Sequence, residues 1–208
     1  MRGIAVASVA AMAAAMLAAC GNSSGGSASA PAPGCSNSAV QSELYARGSL
    51  TVATDRPVYP PWFADNKPAN GKGYESAVAY AIARQLGFRP RQVRWTYEPF
   101  NDSYAPGPKK FDFDINEISY SPQRATAVTF SDSYYDVQQA LVALKGTPIV
   151  ARHSPADLKG YVYGDQIGTT SLAFITGQIQ PARQPKVFQT LGVVKEALQT
   201  RQIAAPTE

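Results

Sequence analysis

The chain has 208 residues, 45% of them hydrophobic and 16% charged, with a formal net charge of +4. The positive excess is diffuse, with no basic run beyond Lys109-Lys110, which argues against a nucleic-acid partner. One histidine, His153, stands without a metal-ligand pattern, and there is no Walker loop, Gly-x-Ser-x-Gly elbow or Cys-x-x-Cys pair, so neither a metal nor a cofactor is expected.

Met1-Arg2 is a short positive start, and Gly3 to Leu17 is almost wholly apolar. That run is too short and alanine-rich for a membrane span and has the anatomy of a signal peptide, residues 1–19. Leu17-Ala18-Ala19-Cys20-Gly21 reads as a lipobox, in which Cys20 becomes acylated (palmitate among the chains) and anchors an exported protein to the outer face of the cytoplasmic membrane. Residues 20–37, rich in Gly, Ser, Ala and Pro, form a flexible tether. Cys35 at its end is a lone thiol outside the reducing cytoplasm, with no partner left in the chain.

The folded part starts near Ser38. Ser38 to Arg47 is predicted to be a short helix stopped by Gly48, and Leu50–Thr54 a buried strand. Tyr74 to Leu86 carries Val78, Ala81, Ile82 and Leu86 at helical spacing and ends at Gly87. Val93–Tyr97, Phe111–Ile118, Thr126–Phe130 and Gln139–Leu144 read as strands, with a proline-started helix at Ser121. Farther on, Pro155–Leu158 reads as one helical turn, and Tyr161–Tyr163 and Gln166-Ile167 as short strand pieces. A helix opens at Gly168-Thr169-Thr170-Ser171, followed by a strand at Lys186–Phe188 and a helix at Leu191–Thr200. Strands alternating with helices imply an α/β fold with largely parallel sheets.

The most informative stretch is Ser119-Tyr120-Ser121-Pro122-Gln123-Arg124. Ser121 can cap a helix, Pro122 suits its first position, and Arg124 adds a planar donor fork matched to a carboxylate. The competing reading is an ordinary capped helix whose arginine pairs with a surface acid. Gly168-Thr169-Thr170 offers a second cluster of amide and hydroxyl donors, or merely another helix cap. Tyr59, Trp62 and Phe100 sit in loops that either face a cleft or pack onto the domain. Asp55, at the carboxyl end of the first strand, lies where ligands of open α/β sheets bind, or caps a loop.

In order along the chain stand Gly48-Ser49-Leu50-Thr51-Val52-Ala53-Thr54-Asp55, Pro60-Pro61-Trp62, Gly71-Lys72-Gly73-Tyr74-Glu75, Leu86-Gly87, Phe111-Asp112-Phe113-Asp114, the Arg124 stretch, Phe130-Ser131-Asp132-Ser133-Tyr134-Tyr135, Asp157-Leu158-Lys159-Gly160 and Ile167-Gly168-Thr169-Thr170. This series, from about Ser38 to Ile203, resembles the polar-amino-acid-binding proteins of bacterial ABC importers, the family 3 solute-binding proteins. The resemblance implies a type II periplasmic-binding-protein-like fold with two lobes: residues 38–138 as the first, and residues 139–208 as the crossover and part of the second. It implies that Arg124 grips an amino acid's α-carboxylate with help from Thr169, Thr170 and Ser119, that Tyr59 and Phe100 flank the side chain, and that Asp55 reaches its far end. Glu117 stands where the family often has Gly, Ser or Gln, and would pair with an ammonium or cationic side chain if it faces the cleft.

The family pattern continues past Ile203 with an Asp-Ala pair, a buried strand and an ammonium-binding aspartate, whereas here Ala204-Ala205-Pro206-Thr207-Glu208 follows. The second lobe and the return segment are therefore expected to be incomplete, and the 208 residues to bind amino acids weakly or not at all. The implied partners are a free amino acid, a membrane permease and, through the lipid, the membrane, for a chain acting as a monomer. Two other classes compete: an exported dehydratase-like enzyme on the same scaffold, for which only Glu117 and Asp55 are candidate acids or bases, and a sensory module. A non-functional truncated product is the remaining alternative.

Overall fold

The computed structural model describes residues 37–204. The expected signal peptide, Cys20, Cys35 and Pro206 lie outside them. Two parallel sheets organise the described residues. In the first, β1 (Leu50–Thr54) lies between β2 (Val93–Tyr97) and β3 (Phe113–Asp114), with Leu50 opposite Val93 and Val52 opposite Phe113. In the second, β4 (Gly164–Gln166) pairs with β5 (Lys186–Phe188). All five β1 residues are buried, as a continuous apolar and β-branched run with strands on both sides requires.

α1 (Asn37–Val40) is a single turn, so the helix expected over Ser38–Arg47 survives only at its start. The chain then doubles back through hydrogen-bonded turns, and the Asp112 carboxylate accepts the amides of Tyr45 at 2.6 Å and Thr51 at 2.5 Å. α2 (Tyr74–Gln85) forms as expected. It ends in a Schellman motif: Phe88 N–H donates to Ala83 O and Gly87 N–H to Arg84 O, with Gly87 at φ 80°. Val78 and Leu86 of the predicted stripe pack against the core, but the fully buried positions are Glu75, Ser76, Ala79 and Ala83, and Ile82 is 37% exposed. Small residues let the helix close onto Leu50, Val52, Phe63 and Ile115.

Gly73 sets the start of α2 at φ 94°, ψ 160°, and a Cβ there would lie 2.4 Å from Trp62 O and 2.7 Å from Phe63 Cα. Both neighbours are backbone and cannot turn aside. Gly73→Ala is expected to cost about 3 kcal/mol or more, lowering the calorimetric midpoint by roughly 6–12 °C.

β3 is shorter than the expected Phe111–Ile118, and Thr126–Phe130 forms no strand. At Arg124 the helix expected from Ser121 is one 3₁₀ turn, Arg124–Thr126. Gln139–Leu144 also lacks a ladder, apart from a lone bridge at Leu141. Its side chains nonetheless alternate as a strand's do: Leu141 and Ala143 pack with Ile149, Tyr163 and Ile175, and Val142 and Leu144 with Val194, Leu198 and Ile203. In sequence, Ala140–Leu144 is an unbroken apolar run, and such a run records burial rather than hydrogen-bonded pairing. α3 (Phe100–Ser103) lies between β2 and β3, α4 (Pro155–Leu158) precedes β4, and α5 (Thr170–Phe174) and α6 (Leu191–Gln199) pack on the second sheet. No helix among the described residues is long and apolar enough to cross a membrane.

Candidate functional site

Parallel strands deliver their carboxyl ends to one side, and both sheets turn those ends toward a shared cleft. Asp55 and Arg56 follow β1, Pro99 and Phe100 follow β2, Gln166 ends β4, and Gln189 and Thr190 follow β5; together they line a cavity of about 320 Å³. Asp55 and Phe100 were legible in the sequence. Gln166 and Gln189 were not singled out, although each stands at a strand's carboxyl end, a position that already marks it.

Arg124 is 8% exposed and lies at the rim where the two sheets' loops meet. Ser121 fixes its backbone, accepting the Arg124 amide on Oγ at 3.1 Å. Its guanidinium spans the cleft: Nη1 donates to Ser119 O at 2.5 Å and Nη2 to Gly168 O at 2.8 Å. The ring of Tyr104 lies 4.2 Å from Cζ and that of Phe100 5.7 Å from it. The group's N–H donors outnumber these two acceptors.

The structure thus brings Arg124, Ser119, Phe100 and the Gly168 turn together. Thr170 Oγ1 donates to Ser119 Oγ at 3.4 Å across the same cleft. The Thr169 hydroxyl is committed to its own helix, accepting Leu172 N–H at 3.0 Å and donating to Gln166 O at 2.8 Å. Tyr59 meets the start of α6, where a Cβ at Gly192 would come within 2.6 Å of its hydroxyl. Burial, then the charge of Asp55, raises the Tyr59 phenol above its usual range against the Gly192 amide. Asp55 is itself raised by burial, offset by the amides of Arg56 and Phe100. Glu117 is exposed, at φ 53°, and its amide donates to Glu75 Oε1 at 2.6 Å. Of the predicted ligand residues only Asp55 and Phe100 line the cavity; Glu117, like Tyr59, Ser119, Arg124, Thr169 and Thr170, does not.

Beneath the site lie two further acids. Glu75 is fully buried, raised by burial despite hydrogen bonds from the Tyr134 hydroxyl and the Glu117 amide. Asp114 is pushed up to about 8 by burial, with the charges of Glu75, Glu98 and Asp55 adding and the Ser103 hydroxyl opposing. No group of three or more His, Cys, Asp or Glu suited to a metal occurs among the described residues.

A two-lobed arrangement of parallel sheets whose loops meet at a cleft is that of the type II periplasmic-binding-protein fold. The chain belongs to the bacterial extracellular solute-binding proteins, family 3, whose pattern matches residues 50–198. It is therefore an exported protein. It is 27% identical over 162 residues to a probable amino-acid ABC transporter periplasmic-binding protein of Sinorhizobium fredii, covering 76% of this chain and 48% of that one. To an L-arginine-binding protein of Pseudomonas aeruginosa it is 25% identical over 141 residues, 64% of this chain and 52% of that one. The chain spans about half the length of these curated relatives. Among solved structures, an ancestral arginine-binding protein bound to glutamine superposes with a TM-score of 0.66 at 28% identity, over 78% of this chain and 70% of the other.

Proposed function

We propose that the chain is the extracytoplasmic substrate-binding component of an ABC importer, which captures a polar amino acid between its lobes and delivers it to the membrane permease without chemistry of its own. The observation that carries this reading is Arg124, buried at the lobe junction with donors to spare. Residues 38–138 act as the first lobe and 139–208 as the crossover and part of the second. Cys20 supplies the lipid anchor, and the protein works as a monomer. Asp55, Tyr59, Phe100, Ser119 and Thr170 join Arg124 around the ligand, with Thr169 holding the second jaw in shape and Glu117 at the margin.

The cavity also selects the side chain. Asp55, Gln166 and Gln189 line its polar wall, which suits a cationic or carboxamide group. Relatives named for arginine, and one seen with glutamine, support those two ligands. Isothermal titration of the full chain with the proteinogenic amino acids tests the reading. Saturable binding of L-arginine or L-glutamine, millimolar (about −4 kcal/mol) or tighter, is expected; no saturable binding by any amino acid would overturn it.

A further inference from the structure

We propose that Tyr104 is a positioning residue for Arg124, its ring carrying the guanidinium and its hydroxyl holding the Gly168 carbonyl against the same group. The inference rests on Arg124 being the carboxylate anchor, and it assigns a role to a residue outside the sequence motif.

Three contacts converge on one point. The Tyr104 ring centroid is 4.2 Å from Arg124 Cζ, close enough for a cation–π contact in a site largely closed to water. The Tyr104 hydroxyl lies 3.1 Å from Gly168 O, the oxygen that also accepts Arg124 Nη2 at 2.8 Å. It also reaches Asn101 Oδ1. A hydroxyl carries one proton, so at any moment it donates to Asn101 or to Gly168. Asn101 fits closely against the turn: a Cβ on Gly168, which has φ 79°, would fall 1.9 Å from Asn101 Oδ1 and 2.5 Å from the Tyr104 hydroxyl. Glycine at 168 therefore lets the second lobe's turn come down onto Asn101 and Tyr104 of the first.

Tyr104 thereby fixes two things at once. Its ring sets the plane of the guanidinium, and with it the direction in which the free fork points. Its hydroxyl ties the second lobe's turn to the same spot, so that the acceptor on Arg124 and the jaw that closes over the ligand move together. Phe100, whose ring meets Tyr104 edge to face at 5.7 Å between centroids, holds the platform upright.

The test uses the full chain with ¹⁵N-labelled arginine, the Arg124 signals being assigned with Arg124→Lys. Without ligand, the wild type should show a ring-current-shifted Arg124 Nε–H and slow rotation about Cζ–Nη. Folded Tyr104→Leu should lose both, and unchanged Arg124 signals in it would overturn the proposal. Tyr104→Phe keeps the ring and should retain the shift while the Arg124 Nη protons exchange faster. If the leucine variant fails to fold, this variant decides alone, identical exchange counting against the proposal. In binding, the wild type should favour L-arginine over L-arginine amide by about tenfold or more, and Tyr104→Leu should bring the ratio toward one. An equal loss on both ligands would mark the residue as merely structural. A wild type with an ordered Arg124 that binds no amino acid would overturn the importer reading and leave the positioning role standing.

Discussion

Replacing Arg124 with alanine is expected to weaken amino-acid capture by more than 100-fold. Hydrogen bonds to charged partners contribute about 1.5–3 kcal/mol each, and a carboxylate held by two of them loses both, a combined loss of about 3 kcal/mol or more. Each 1.4 kcal/mol is about a tenfold change in affinity. The damage does not end with the ligand, because the carbonyls of Ser119 and Gly168 lose their common donor. Between the lobes the Gly168 carbonyl then keeps the Tyr104 hydroxyl as its donor, so the lobes should part more readily. Arg124→Lys separates these contributions. It keeps the charge but loses the flat face on Tyr104 and the second arm of the fork, and should fall between wild type and alanine. Titration calorimetry with L-arginine and L-glutamine, beside a melting curve, measures both effects. Alanine-variant affinity within a few-fold of wild type would remove Arg124 from the binding role.

The expectation at Arg124 was legible because its signal is local. A serine, a proline and an arginine in four positions build the cap and present the side chain, although the backbone there closes only one 3₁₀ turn. The strands that were read correctly, Leu50–Thr54, Val93–Tyr97 and Lys186–Phe188, are short and bounded by turn residues, so their ends needed no tertiary information. Failures came where pairing decides. Gln139–Leu144 carries an apolar run like that of a buried strand, yet a ladder depends on a neighbour that no local pattern encodes. On α2 the large apolar residues drew the eye, while the face that meets the sheet is built from Ala79, Ala83 and Ser76. Tyr104 was missed for a related reason. Its importance lies in contacts with residues 124 and 168, and nothing within its own loop points there. The burial of Glu75 was hidden likewise, since a carboxylate in a first helical turn is ordinarily solvated.

Asp114 yields the last expected result, a stability that falls as pH rises toward the alkaline side. In the unfolded chain its carboxyl loses its proton near the ordinary 3.8, whereas in the folded chain the group holds it up to about 8. Below about pH 4 both states are protonated and the group is neutral to folding. Between about pH 4 and about pH 8 the unfolded chain has released a proton that the folded one keeps, so unfolding is progressively favoured. Above that window the whole penalty has been incurred. Asp114→Asn removes it, because a carboxamide of nearly the same shape stays neutral throughout. Allowing for relaxation and water entry around a buried charge, the gain at pH 8 and above should be about 2–4 kcal/mol, or roughly 4–16 °C in melting temperature. Near pH 4 wild type and variant should melt together. The same change reaches the cleft, since the charges of Asp114 and Asp55 repel one another. With Asp114 silenced, no second negative charge develops near Asp55 as the pH passes about 8, so binding of a cationic amino acid should change less between pH 6 and pH 9 than in the wild type. A melting difference between Asp114→Asn and wild type that stays constant across pH would show that the carboxyl is already ionised in the folded protein, with its charge satisfied by neighbours rather than suppressed by burial.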